Sequence, residues 1–101
     1  MNDMEFADLR SRACSELARW ARTDVTGEPT DGLKSILLGY FRAAHCDFGP
    51  TMVDNVSRRK IALQGLLISV MADLERSQWR HIELHSDSLT ALSDESRIVS
   101  T

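Results

Sequence analysis

Turn-forming residues are scarce in this sequence. Two prolines and five glycines in 101 residues are too few for the many tight turns of a β-sandwich or barrel, so an all-β fold is disfavoured. Two cysteines, Cys14 and Cys46, make no disulfide framework. Both fall on the apolar side of predicted helices, where a free thiol behaves as a small hydrophobe. A basic excess is also missing. Twelve Lys and Arg against fifteen Asp and Glu leave a net charge of −3, whereas a dedicated nucleic-acid binder ordinarily carries a positive surplus. No Gly-rich phosphate loop occurs, since Gly27 and Gly49 lie in ordinary breaks. The longest uncharged run, Ile61 to Ala72, falls far short of a membrane span and contains Gln64 and Ser69. Met1 to Glu5 is acidic and does not open a signal peptide. These absences lead to the expectation of a cytoplasmic protein with no membrane contact, no cofactor, no metal and no catalytic activity.

What the chain does have is helical periodicity. Apolar content of 43% and charged content of 27% are those of an ordinary globular fold. Phe6, Leu9, Ala13, Leu17 and Trp20 recur three and four residues apart, an amphipathic stripe. Beside it run the small residues Ala7, Cys14, Ala18 and Ala21, which allow a second helix to approach closely. Asn2 or Asp3 is the expected N-cap. Thr23 to Pro29 breaks the pattern, and a second helix opens at Thr30 or Asp31 with Leu33, Ile36, Leu37, Tyr40, Phe41 and Ala44 on one face. Gly49 and Pro50 end it.

The third helix is expected to be the long one. From Thr51 to about residue 82 the pattern carries no strong stop, with one point of weakness at Val56-Ser57. Val56, Leu63, Leu67, Val70 and Leu74 follow a 3.5-residue repeat. Ile61, Ala62, Leu66, Ile68 and Met71 widen the apolar stripe well beyond the ~100° that a surface helix needs. Thirty residues at ~1.5 Å each would span roughly 45 Å. The expected fold is therefore all-α: three helices at about 4–22, 31–46 and 51–82 in a single domain of residues 1–85. Residues 86–101, rich in Ser and Asp, read as a mostly flexible acidic tail with room for a short helix at 87–93.

Chemistry-bearing constellations are thin. His81, Glu83 and His85 supply two imidazoles and a carboxylate, short of the three or four converging ligands of a zinc site and without a metalloprotease pattern. The simpler reading is a polar face at a helix end. His45, Cys46 and Asp47 have the composition of a nucleophilic triad. Consecutive helix residues nevertheless point about 100° apart, so His45 cannot activate Cys46. Arg58, Arg59 and Lys60 form the sharpest basic cluster. Arg12, Arg19 and Arg22 on the first helix would extend it into a phosphate-binding stripe. The apolar run after Lys60 is nevertheless unlike a recognition helix, which exposes polar residues over two turns.

By subtraction and by surplus, the sequence points to a small non-enzymatic regulator or inhibitor of the anti-activator or adaptor type. It would work by occluding a surface of another protein, such as a transcription activator. Leu33, Leu37, Tyr40, Phe41, Phe48 and Trp79 are the expected contact residues for that protein, because a domain this small struggles to bury all its large apolar groups. Leu63, Leu67, Val70 and Leu74 are the expected homodimer face. The alternative is a nucleic-acid-binding transcriptional regulator using Arg58, Arg59 and Lys60. A likeness of general style links the chain to short acidic helical regulators of bacteria and phages, and it assigns no residues.

Overall fold

Among the described residues five helices follow one another: α1 Asp3–Thr23, α2 Asp31–Phe48, α3 Asn55–Asp73, α4 Arg76–Leu84 and α5 Ser86–Val99. The computed structural model describes residues 3–23, 28–48 and 55–99, with side chains except at 45–48, 55–58 and 96–99. Among these there is no strand, and no helix is long and apolar enough to cross a membrane. The all-α expectation holds. The expectation of three helices is corrected to five.

Local chemistry explains the first two. Asp3 and Glu5 sit in the opening turn of α1, where carboxylates meet the positive end of the helix dipole. The Thr23 hydroxyl donates to the Arg19 carbonyl at 2.9 Å and closes its last turn. Thr30 caps α2 as its residue type predicts: the Leu33 N–H donates to Thr30 Oγ1 at 3.2 Å, and the Lys34 N–H to the Thr30 carbonyl at 2.9 Å.

The long third helix is interrupted at Leu74–Glu75, and the cause is local. Glu75 is extended, with φ −69° and ψ 156°, and its N–H donates to Gln78 Oε1 at 3.3 Å in a capping-box arrangement. Trp79 Nε1–H donates to the Leu74 carbonyl at 2.8 Å, so an indole occupies an acceptor that a continuing helix would use. The molecule's longest extent is 39 Å, less than an unbroken thirty-residue helix alone would need. Trp79→Phe keeps the ring but deletes this bond. It is expected to cost about 1 kcal/mol and lower the melting temperature by roughly 4–8 °C, read by circular dichroism.

Residues 86–99, expected as a loose tail, form α5 and pack against both α2 and α3. Leu89 and Leu92 are its buried anchors. Ser93 is buried as well, and its carbonyl accepts a 2.9 Å hydrogen bond from Nε of Arg59 on α3. The core runs through all five helices. Ala13, Leu17 and Trp20 of α1 share one cluster with Leu33, Leu37 and Phe41 of α2, Leu63, Leu66 and Val70 of α3, Ile82 of α4 and the two leucines of α5. Phe6 stacks on Tyr40 with ring centroids 5.5 Å apart. A radius of gyration of 13.1 Å is what ~100 residues give when packed as one body.

Candidate functional site

Much of what the sequence offers as surface lies inside. Leu33, Leu37, Tyr40 and Phe41 are no more than 4% exposed, so the expectation of a partner-facing α2 is corrected. This stripe is the wall against which α1, α3 and α5 close. Leu63, Val70 and Leu74 are core in the same way, and Leu67 is half-buried against it. The expected dimer face is thus the inner face of α3. Phe48 ends α2, its side chain outside the described residues. Of the five expected contact residues whose side chains are described, Trp79 is the one that reaches solvent, at 37%.

The basic cluster divides. Arg59 is 1% exposed and bonded to α5, which makes it a structural residue unavailable to a phosphate. Lys60 is exposed, and the Arg58 side chain lies outside the described residues. On α1, Arg10, Arg12, Arg19 and Arg22 are exposed. Arg19 pairs with Glu16 at 2.8 Å across an open surface, a bond that adds little to stability. The arginines do not converge on a groove with Arg59, so the phosphate stripe of the alternative reading is not assembled as expected.

The histidines are not the polar face expected of them. His81 is buried, its ring 4.3 Å from Trp20 and 5.0 Å from His85, while Glu83 points to solvent. These rings tie the C-terminal part of α1 to α4. Among the described residues, no three His, Cys, Asp or Glu side chains are grouped to hold a metal ion. The side chains of His45, Cys46 and Asp47 lie outside the described residues. Cys14 is half-buried between α1 and α3, and burial pushes its thiol up from the ordinary 9.0, with Arg10 opposing and Asp73 reinforcing. The thiol therefore stays protonated through neutral pH, a poor state for a nucleophile. Burial also raises the Tyr40 hydroxyl. Both shifts favour the folded state below the ordinary values, and that contribution is lost as pH rises through the shifted ones.

What remains open is apolar and external. Met4, Ile61, Ile68, Trp79 and Leu84 are exposed at 81, 59, 68, 37 and 78%. They form two separate surfaces besides Met4 at the start of α1. On α3, Ile61, Gly65, Ile68 and Ala72 recur at spacings of four, three and four, in one line along the outer face. On α4, Trp79 and Leu84 flank the exposed Arg76 and Arg80, which with Ser77 line a shallow depression of about 430 Å³. Depressions of about 410 and 370 Å³ follow the seam between α1 and α3, sharing Cys14 and Ser69. The hollow of about 410 Å³ is lined by Cys14, Ser15, Arg22, Ser69 and Asp73, and a further one of about 490 Å³ between α1 and α2 by Ser11, Arg12, Ser15, Glu16 and Ser35. Sequence periodicity missed the α3 line because apolar residues surround that helix; on α4 it singled out Trp79 but not Leu84, which lies just past the expected helix end at 82. No protein-family model, curated protein or solved structure matches this chain.

Proposed function

We propose that the protein is a small non-enzymatic binding regulator whose foreign partner docks on α4. The observation that carries this reading is the composition of that surface: one indole and one leucine exposed beside Arg76 and Arg80 around a shallow hollow. Trp and Arg are the residue types that dominate contact energy in protein interfaces. Two cations flanking apolar anchors fit a partner whose own apolar patch is rimmed by carboxylates. Occlusion of such a patch on a transcription activator is the kind of action this surface supports. The indole is already held by its bond to the Leu74 carbonyl, so little rotamer freedom is lost on docking.

Tagged full-length chain incubated with lysate of its native cell is the direct test. A protein partner at near-stoichiometric yield is expected, retained by Ile68→Asp and lost with Arg80→Glu or Leu84→Asp. All three positions are exposed, so the fold tolerates these changes within about 0.5 kcal/mol. Retained nucleic acid in place of a protein, released steeply by salt, overturns the reading in favour of the α1 arginines and Lys60.

A further inference from the structure

The outer line of α3 differs from the α4 surface in chemistry: from Ile61 to Ala72 the helix carries no charge. Ile61 and Ile68 are both more than half exposed, with Gly65 between them and Ala72 beyond. Gly65 has no internal explanation. A Cβ built there meets nothing within 4 Å, yet glycine within a helix is poorly tolerated relative to alanine. Gly39 is equally open, but it lies beside exposed Arg42 and Ser35 rather than between isoleucines.

We propose that a second copy of this chain covers this line, its α3 antiparallel to the first about a two-fold axis at the level of residues 66 and 67. The sequence is self-complementary in that register. Residue 68 of each copy lies over residue 65 of the other, and residue 61 over residue 72. Each exposed isoleucine thereby meets glycine or alanine, large against small, whereas a parallel pair would set isoleucine against isoleucine. Half-buried Leu67 and Met71 extend the apolar contact on one flank. The other flank is the hollow bordered by Ser69 and, on α1, by Ala7, Ser11, Cys14 and Arg10, whose guanidinium donates to Ser69 Oγ at 3.4 Å.

The area sets the strength. In this register α3 overlaps its mate over residues 60–73, a contact about 20 Å long, and with α1 alongside it is two ~10 Å helices wide, on the order of 400 Å² of each copy. A standard interface covers about 800 Å² per partner, so this dimer is reversible and dissociates on dilution. The inference is independent of the α4 reading.

Sedimentation equilibrium of the full chain from roughly 1 µM to roughly 1 mM brackets the affinity expected of such an area. The expected mass rises from 11.4 kDa to twice that value. Ile68→Asp is expected to stay at 11.4 kDa at every concentration with an unchanged helical spectrum. Gly65→Ala separates fold from contact. Its Cβ has free space within one copy, so the melting temperature of dilute protein rises. The same Cβ meets the mate's Ile68, so association weakens about tenfold. A parent mass of 11.4 kDa throughout overturns the dimer and leaves the α4 reading to its own test. Association unaffected by Ile68→Asp, or strengthened by Gly65→Ala, overturns the crossing at Gly65.

Discussion

Phe41→Ala is expected to remove about 3–5 kcal/mol from the folding free energy, the range for a buried phenylalanine cut to a methyl. Phe41 is fully buried and its ring lies 5.7 Å from that of Tyr40. The helices that meet α2 cannot all close over the lost volume, so a cavity term adds to the lost transfer free energy. A domain of this length holds roughly 5–15 kcal/mol in total, and the single change removes a large part of it. The melting temperature falls by about 12 °C or more. Urea unfolding followed by far-ultraviolet circular dichroism reads the effect. A loss below about 1 kcal/mol would return Phe41 to the surface and reopen α2 as a contact face. Ile68→Ala is the matched control, expected within about 0.5 kcal/mol under dilute conditions because its side chain is already wet.

Arg59→Ala is the second large effect, about 2–4 kcal/mol. The substitution deletes the Nε–H bond to the Ser93 carbonyl at 2.9 Å, empties the volume of the aliphatic stem, and leaves a buried acceptor short of a donor. Lysine is not an equivalent: it carries charge on one flexible amine and lacks the planar fork. Arg59→Lys is therefore expected to recover only part of the loss. A phosphate-contacting arginine on an open surface behaves in the opposite way, leaving unfolding unchanged while weakening retention on heparin. Unfolding curves and heparin elution of the same variant decide between the two roles.

The sequence showed which segments are helices far better than which sides of them are buried. Leu33, Leu37, Tyr40 and Phe41 announce α2 at once, because a stripe at three- and four-residue spacing has one reading. The same spacing says nothing about whether chain or partner covers it, and here α1, α3 and α5 do. On α3 the apolar residues run around most of the circumference, so Val70 and Ile68 look alike in sequence. In the structure one is 3% and the other 68% exposed. The break at Leu74 was legible in principle: Glu75 and Gln78 have the spacing of a capping box, obscured because the usual Ser or Thr is replaced by Glu. α5 was legible only as Leu89 and Leu92 among poor helix formers. Its helicity comes from packing and from the arginine that grips its backbone, and tertiary partners thirty-four positions away leave no local signature.

That late closure bears on how the chain is made. α5 is the final described helix, yet it forms part of the cover over α2 and α3. A ribosome adding about 5–20 residues per second needs roughly 1–3 s to deliver it. For that interval the nascent chain presents an uncovered leucine-lined face to every other protein in the cell. Premature stops beyond the end of α4 would make the exposure permanent, so such products should be substrates for chaperones and proteases.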